Sequence, residues 1–245
     1  MIKVGVFGAR GRMGSTVCDA VEGAPDTELV ARIDAGDDRA PAEAAQVMVD
    51  FTQPGVVMDN IKWCIDHGVN AVVGTTGFDE DRLDQVRSWL GADPDVGVLI
   101  ASNFSIGAVL MMAFAEKAAP FFDSVEIIEL HHPRKLDAPS GTAASTARRV
   151  AAARRAAGCA PMPDATQTAL DGARGSRVDD VPVHSVRLQG LVAHQEVLLG
   201  TAGESLTIRD DSYDRVSFMP GVLAGVRAVV GRPGLTVGMD EILGL

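Results

Sequence analysis

A glycine-rich turn near the start of the chain constrains its fold more than any other feature. Residues 2–7 form an apolar segment typical of a buried strand, and Gly8, Gly11 and Gly14 follow where a helix is predicted to begin. Glycines at a strand-to-helix turn let the backbone approach a pyrophosphate, and the helix N-terminus supplies N–H groups and the positive end of its dipole. The spacing, G-x-x-G-x-x-G, is a variant of the dinucleotide-binding motif. We therefore predict that the chain opens with a Rossmann-type domain.

Strand-like and helical segments alternate through the first part of the chain. The predicted strands are residues 2–7, 28–33, 47–51, 69–73 and 96–101. The predicted helices between them are residues 13–22, 56–67 and 82–90. Several of the strands are continuous apolar runs, as expected where a parallel sheet is buried on both faces. This alternation predicts an α/β fold with a doubly wound parallel sheet and right-handed crossovers.

The pattern changes after Asn103, which indicates a second domain. In chain order we predict a helix over 105–119, a strand over 124–130, a helix over 140–157, an irregular connection over 158–180, strands over 183–188, 193–199 and 205–210, and a helix over 220–230 before a short tail. Apolar and polar residues alternate strictly in the last of these strands. Two-faced strands in succession favour an α+β domain built on a mixed, mainly antiparallel sheet.

The net charge and the cysteine content argue against several classes of protein. The 245 residues carry a formal net charge of −11, whereas nucleic acids and anionic membranes bind positively charged surfaces, so neither is an expected partner. Three cysteines are too few for a disulfide framework or a cysteine-based zinc site. No apolar run reaches the length of a membrane span, and the N-terminal segment lacks the pattern of a signal peptide. We expect a soluble, cytoplasmic protein.

An acidic residue at the end of the second predicted strand strengthens the cofactor prediction. Asp34 lies 20 residues after Gly14, where a carboxylate usually binds the ribose hydroxyls of adenosine. Asp34 favours NAD because it would repel a 2′-phosphate, whereas the guanidinium groups of Arg10 and Arg12 could pair with one. We therefore expect both NADH and NADPH to be accepted. The alternative is a tight turn without a ligand, with both arginines as solvated loop charges.

Small and hydroxyl-bearing residues follow the fourth and fifth predicted strands. In an open parallel sheet, ligands bind outside the carboxyl ends of the strands. We predict that these two segments contact the nicotinamide ribose and ring, although each could also be an ordinary loop. The predicted cofactor-binding residues are Gly8, Ala9, Arg10, Gly11, Arg12, Met13, Asp34, Gly74, Thr75, Thr76, Ala101, Ser102, Asn103 and Phe104.

The densest group of titratable side chains lies in the second predicted domain. His131 and His132 are followed by Lys135, which, unlike an arginine, can release a proton near neutral pH. The two histidines could also be considered as metal ligands. Adjacent residues of a strand point to opposite faces, however, and no third ligand is evident, so we predict no metal site.

A predicted helix start follows this group. Ser140 is the predicted N-cap, and the backbone N–H groups of Gly141 and Thr142, with the Thr142 hydroxyl, would form an anion pocket. Lys135 and His132 lie a few residues upstream and could face the same pocket. This arrangement suits a small carboxylate-bearing substrate. The alternative is a surface loop with solvated histidines and a well-capped helix.

The same segment resembles the signature of a known enzyme family. Residues 126–143 read E-I-I-E-L-H-H-P-R-K-L-D-A-P-S-G-T-A. With the glycine turn at 8–14, G-T-T at 74–76 and N-F at 103–104 in matching order and spacing, this run resembles the 4-hydroxy-tetrahydrodipicolinate reductase (dihydrodipicolinate reductase) family of bacterial lysine and diaminopimelate biosynthesis. The compact length is most similar to that of actinobacterial members.

The resemblance implies a domain organisation and an assembly. Residues 1–104 and 213–245 would form the dinucleotide-binding domain, and residues 105–212 would form the substrate-binding and oligomerisation domain. Members of the family are usually homotetramers joined through the sheet of the second domain.

The resemblance also implies a reaction and residue roles. NADH or NADPH would reduce the dehydrated, cyclic imine form of a small dicarboxylate to tetrahydrodipicolinate, and a protein group would protonate the adjacent carbon. Carried over by position, Lys135 is the proton donor and His131 a proposed donor or acceptor, a division of work that the sequence leaves undecided. His132, Gly141 and Thr142 would hold a substrate carboxylate.

One departure from the family pattern concerns the cofactor, and two other functions are conceivable. Members that prefer NADPH can carry an arginine directly after the ribose-binding acid, whereas Ala35 follows Asp34 here, which puts a strict NADPH preference in doubt.

A dehydrogenase of aspartate or homoserine type would account for the glycine turn, but not for Lys135 followed by P-S-G-T. A non-catalytic nicotinamide-binding protein would bind the cofactor without turnover.

Overall fold

The computed structural model describes all 245 residues. It contains two β-sheets, each with its own helices. The strands are numbered β1 to β11 and the α-helices α1 to α7 along the chain. One compact unit contains Met1–Ser105 and Arg215–Leu245, and the other contains Ile106–Asp214. None of the helices combines the length and the apolar character needed to cross a membrane.

The first unit is built on a parallel sheet. Its strands are β1 (Ile2–Phe7), β2 (Thr27–Ile33), β3 (Val47–Asp50), β4 (Asn70–Val73), β5 (Gly97–Ile100) and β11 (Gly234–Val237). They lie in the order β11-β5-β4-β3-β1-β2, and every neighbouring pair is parallel. The chain moves outward from β1 in one direction to β2 and in the other to β3. A ligand crevice forms outside the carboxyl ends of the strands at such a reversal.

Helices cover both faces of this sheet. They are α1 (Arg12–Gly23), α2 (Val57–Asp66), α3 (Glu80–Leu90), α6 (Met219–Val229) and the short α7 (Asp240–Leu243). Ile61 of α2 and Val86 of α3 belong to one buried cluster with alternate strand residues such as Met48. Helices α1 and α6 pack against each other and bury Val17 and Val226. Apolar burial on both faces explains why these strands are continuous apolar runs in the sequence.

The second unit is built on a five-stranded mixed sheet. Its strands are β6 (Ser124–His131), β7 (Ser176–Val178), β8 (Val181–Arg187), β9 (Ala193–Thr201) and β10 (Glu204–Ser212). They lie in the order β10-β9-β6-β8-β7, with β6 and β8 parallel and the other pairs antiparallel. Within this unit, α4 (Ile106–Ala118) and α5 (Gly141–Ala156) pack on the face that carries Ile127, Val183 and Val197.

The predicted fold class is confirmed, but two short strands and one short α-helix were not predicted. Every predicted helix and strand is present within two residues of its observed bounds. Strand β7 lies inside the segment that was expected to be irregular, and β11 and α7 lie in the segment that was expected to be a tail.

Candidate functional site

The turn between β1 and α1 has the geometry of a phosphate-binding loop. Gly8 adopts a φ of 77°, which glycine tolerates best, and its carbonyl accepts a hydrogen bond from the Gly11 N–H at 2.9 Å. A Cβ atom at Gly14 would lie 1.9 Å from the Gly8 oxygen, so α1 begins in direct contact with the turn. This cradle, which a Cβ would fill, lies at the N-terminus of α1 and fits the pyrophosphate of a dinucleotide.

A cavity of about 630 Å³ adjoins this turn at the reversal point of the sheet. Its walls come from the segments that follow β1, β2 and β3. The predicted cofactor residues that line it are Gly8, Gly11, Arg12, Met13 and Asp34. Arg39 and Asn60 also line it, and the sequence analysis singled out neither. The position and size of the cavity fit the adenosine half of a dinucleotide.

Asp34 and Arg10 are in contact beside this cavity. The Arg10 N–H donates to Asp34 Oδ2 at 2.8 Å. The Arg10 guanidinium donates to Asp37 at 2.6 Å and lies 3.6 Å from the Asp34 carboxylate. The hydrogen bond from Arg10 lowers the pKa of Asp37 below its ordinary value. The charge of Arg10 is therefore compensated by two carboxylates, and its side chain does not line the cavity.

Arg39 is a cation of this cavity that the sequence analysis missed. Its guanidinium carbon lies 5.5 Å from the centre of the Phe7 ring, and its NH2 group donates to Asn60 Oδ1 at 2.7 Å. The Asn60 amide donates in turn to the buried Asp50 carboxylate at 2.7 Å. These contacts hold the guanidinium at the cavity wall. No motif predicts Arg39, and only its place five residues after Asp34 could have indicated it.

The segments that follow β4 and β5 are ordered by internal hydrogen bonds. The buried Thr75 hydroxyl donates to Asp50 at 2.7 Å and accepts from the Thr52 N–H at 2.8 Å. Asn103 Oδ1 accepts from the Ser105 N–H at 2.8 Å. The remaining predicted residues of these two segments are Gly74, Thr76, Ala101, Ser102 and Phe104. Contact between these residues and the nicotinamide stays a prediction.

The second group of predicted residues lies on one continuous segment between β6 and α5. The Ser140 side chain accepts a hydrogen bond from the Ala143 N–H at 3.1 Å, which confirms the predicted N-cap. The predicted catalytic and substrate-binding residues of this segment are His131, His132, Lys135, Gly141 and Thr142. His131 ends β6, and Gly141 begins α5. The fold therefore brings all of them to one end of the second sheet.

Lys135 pairs with a carboxylate of its own loop. Its Nζ lies 2.8 Å from Asp137 Oδ1, and the Lys135 side chain is only 21% exposed. Partial burial would raise the pKa of Asp137, but hydrogen bonds from Lys135 and from the Gly141 backbone lower it below its ordinary value. The Asp137 carboxylate thus lies against the Lys135 ammonium and the N-terminus of α5. An ammonium and a helix N-terminus together can bind the carboxylate of a ligand, and the ammonium can supply a proton.

Glu129 is a buried member of this site that the sequence analysis did not assign. Its Oε2 lies 2.5 Å from His131 Nδ1, and both of its oxygens accept hydrogen bonds from Arg187 at 2.8 Å. Burial raises the pKa of Glu129, but hydrogen bonds from His131, Arg187 and Ser185 outweigh it and lower the pKa to about 2. Glu129 is therefore ionised at neutral pH.

The remaining histidines differ from each other in their surroundings. His132 has a buried Nδ1 without a hydrogen-bond partner in the chain, which is rare and fits a site that receives a polar ligand. His184 and His194 instead pair with Glu126 and Asp211, at 2.7 and 2.6 Å. Each of these two histidines is therefore held by a carboxylate, as expected for a structural role.

Comparison with known proteins agrees with this geometry. Residues 2–104 match the family model described as dihydrodipicolinate reductase, N-terminus, and residues 107–243 match its C-terminus. The chain is 64% identical over its full length to a 4-hydroxy-tetrahydrodipicolinate reductase of Cutibacterium acnes, of which it covers 100%. It is 63% identical to the protein of that name from Nocardia farcinica, with 100% of this chain and 99% of the relative covered.

A solved structure agrees as well. A dipicolinate-bound dihydrodipicolinate reductase from Paenisporosarcina sp. TG-14 superposes with a TM-score of 0.86 at 38% identity, over 99% of each chain. A probable dehydrogenase from Thermotoga maritima, with a TM-score of 0.63 at 11% identity over 98% of this chain and 92% of its own, shares the fold alone. The family models and the full-length relatives together establish that the chain belongs to the dihydrodipicolinate reductase family.

Proposed function

We infer that the chain reduces 4-hydroxy-tetrahydrodipicolinate, by way of its dehydrated cyclic imine, to tetrahydrodipicolinate in lysine and diaminopimelate biosynthesis. The observation that carries this inference is the site at the end of β6. There, Lys135, His131 and the capped N-terminus of α5 meet on one short segment. A cytoplasmic location is proposed with it, since NADH and NADPH are regenerated there.

The chemistry assigns a role to each residue of this segment. His132, with the backbone N–H groups of Gly141 and Thr142, would hold a substrate carboxylate. The Asp137 carboxylate supports the role of Gly141, because it already accepts a hydrogen bond from the Gly141 backbone beside the Lys135 ammonium. When bound, the reduced nicotinamide supplies the hydride. Lys135 would then donate a proton to the carbon beside the reduced one, with His131 as a second proton donor or acceptor.

The test is a coupled assay of the purified protein. The preceding synthase, pyruvate and aspartate semialdehyde generate the unstable substrate in place, and loss of nicotinamide absorbance is followed. We expect oxidation of both NADH and NADPH that depends on the synthase. Cofactor binding without synthase-dependent oxidation would contradict the proposed reaction and favour a non-catalytic nicotinamide-binding protein.

The cavity beside the glycine turn supports the use of both cofactors. Asp34 would accept hydrogen bonds from the adenosine ribose hydroxyls, as in NADH. Arg12 and Arg39, which also line the cavity, would offer positive charge to the 2′-phosphate of NADPH. Arg10 is a weaker candidate than the sequence suggested, because Asp37 and Asp34 compensate its charge.

Replacing Arg39 is therefore expected to change cofactor preference. Arg39→Met should raise the Kd of NADPH by about 10- to 150-fold, since a hydrogen bond to a charged group contributes about 1.5–3 kcal/mol. The Kd of NADH should change far less. Fluorescence titration measures both constants, and Arg87→Met is the control, because Arg87 lies on α3 and does not line the cavity. An equal rise in the Kd values of NADH and NADPH would instead indicate that Arg39 contacts the adenine ring. If neither Kd changes, Arg39 does not belong to the cofactor site.

The second sheet supports a homotetramer. Its helices cover only one face within the unit, and the opposite face carries the partly exposed apolar residues Ile128, Leu130, Val186 and Leu198. A sheet face of this kind is usually covered by another layer. Sedimentation equilibrium is expected to give a fourfold multiple of the 25.6 kDa chain. A monomer that retains full activity would contradict this assembly.

A further inference from the structure

We propose that Glu129 and Arg187 are positioning residues of the reductase reaction, which act through His131 and through the loop that carries Lys135. This inference rests on the proposed function and adds to it two residues that contact neither substrate nor cofactor in our assignment. Glu129 lies within the signature at 126–143 but was given no role there, whereas Arg187 lies outside every motif and contacts Glu129 through the pairing of β6 with β8.

Glu129 binds three separate parts of the second unit. Its side chain is 0% exposed. Oε2 accepts from His131 Nδ1 at 2.5 Å, and Oε1 accepts from the Ser140 N–H at 3.2 Å. Each oxygen also accepts from Arg187 at 2.8 Å. One carboxylate therefore fixes the ring of His131, the residue that caps α5, and Arg187.

The contact with Glu129 determines how His131 can exchange a proton. When His131 Nδ1–H donates to the carboxylate, Nε2 is the nitrogen left for other partners. Nε2 then accepts a proton in the neutral ring and donates one in the imidazolium. The carboxylate also stabilises the imidazolium when it forms, as in other histidine–carboxylate pairs. Glu129 thus sets both the orientation and the tautomer that a proton-transferring His131 needs.

Arg187 extends the same network to Lys135. It lies on β8, opposite His131 in the parallel register. Besides its two bonds to Glu129, the guanidinium donates to the Asp137 carbonyl at 2.7 Å and to the Val186 carbonyl at 2.8 Å. Asp137 is also the ion-pair partner of Lys135. The Arg187 guanidinium therefore connects the Glu129 carboxylate, which binds His131, with the loop that contains Lys135.

This network is suited to orientation more than to stability. Apolar residues can often replace a buried ion pair without loss of stability, so burial of Glu129 with Arg187 needs another explanation. A guanidinium can serve four directed acceptors at once, whereas the ammonium of a lysine is a compact charge without that fork. Substitution of Arg187 should therefore affect kcat more than the melting temperature.

The experiment compares Arg187→Lys and Arg187→Met with a matched control, Arg174→Met. Arg174 also binds a glutamate of β6, Glu126, and that glutamate also binds a histidine, His184. The other carboxylate partner of Arg174 is Asp164, so its contacts lie outside the segment between His131 and α5. For each variant we measure kcat, KM, thermal unfolding, the Kd of NADPH, the Kd of dipicolinate and the ¹⁵N NMR signals of His131.

We expect kcat to fall about 100-fold in Arg187→Met and about 10-fold in Arg187→Lys, since a displacement of about 1 Å costs about 100-fold in rate. The Kd of NADPH should stay at the wild-type value. The His131 signals should lose the pattern of a fixed Nδ1–H tautomer. Arg174→Met should keep the wild-type kcat and the wild-type His131 signals.

Distinct results would overturn the inference or the function on which it rests. Wild-type kcat in folded Arg187→Met or Arg187→Lys would overturn the positioning role, as would a lower melting temperature with an unchanged kcat. If Arg187→Met fails to fold, Arg187→Lys decides. If the wild-type protein shows no synthase-dependent oxidation, the proposed function fails instead. The His131 signals then still show whether Arg187 and Glu129 fix the orientation of the His131 ring.

Discussion

Replacement of Lys135 by alanine is expected to lower kcat by about 10²- to 10⁴-fold, the usual contribution of a positioned acid or base. The Lys135 ammonium lies at the start of the loop between β6 and α5, ion-paired with Asp137 and 21% exposed. Its loss removes the proposed proton donor and a cation next to the proposed carboxylate site. The Kd of NADH should hardly change, because the residues that line the cavity beside the glycine turn belong to the other unit.

The coupled assay and a fluorescence titration measure these two effects separately. Lys117→Ala is the matched control, because Lys117 is an exposed lysine at the end of α4 in the same unit. Lys135→Met keeps the length of the side chain and should lose as much activity as Lys135→Ala. A variant that retains wild-type kcat would remove Lys135 from the mechanism and leave His131 as the proton donor.

Features that depend on neighbouring residues could be predicted from the sequence. The turn from Gly8 to Gly14 and the N-cap at Ser140 follow from local backbone requirements, and both are found in the structure. Long segments with a clear hydrophobic period also fix their own helix or strand. The signature around Lys135 identified the family for a different reason, because its residues form a long and specific pattern.

Contacts between distant residues could not be predicted in the same way. Glu129 and Arg187 are 58 residues apart, and although Glu129 lies in the signature at 126–143, its contact with Arg187 forms only when β6 and β8 pair. The ion pair between Arg10 and Asp37, 27 residues apart, was not predicted either. Arg39 enters the cavity through its contact with Asn60, 21 residues later.

Short strands were missed because their stability depends on a partner strand. Strand β11 has only four residues and gains its hydrogen bonds from β5, more than a hundred residues earlier in the chain. Strand β7 has three residues and pairs with β8 across a tight turn, in which Asp179 and Asp180 have positive φ values of 47° and 71°. Such a turn is typical of a two-residue hairpin, although glycine or asparagine more often marks it in a sequence.

A single methyl group at Gly14 is expected to disrupt the cofactor site. The Cβ atom of Gly14→Ala would lie 1.9 Å from the Gly8 oxygen and 2.6 Å from the Gly8 carbonyl carbon, both of which are backbone atoms. Neither can rotate away, so the turn and the first turn of α1 must separate. Overpacking of this kind costs about 1–3 kcal/mol. If the turn shifts to relieve this strain, cofactor binding must restore the original geometry at the same energetic cost. The Kd values of NADH and NADPH should therefore rise by about 5- to 150-fold.

Gly23→Ala is the matched control, because it adds the same methyl group to the same helix without a clash. Gly23 is the last residue of α1, and a Cβ there would meet no atom within 4 Å. The alanine should keep cofactor affinity and raise the free energy of unfolding by up to about 1 kcal/mol, since glycine is the poorer helix former. Titration with NADH and thermal unfolding of both variants test this contrast. Wild-type affinity in Gly14→Ala would mean that the turn does not hold the pyrophosphate, because the added methyl group must displace the Gly8 carbonyl.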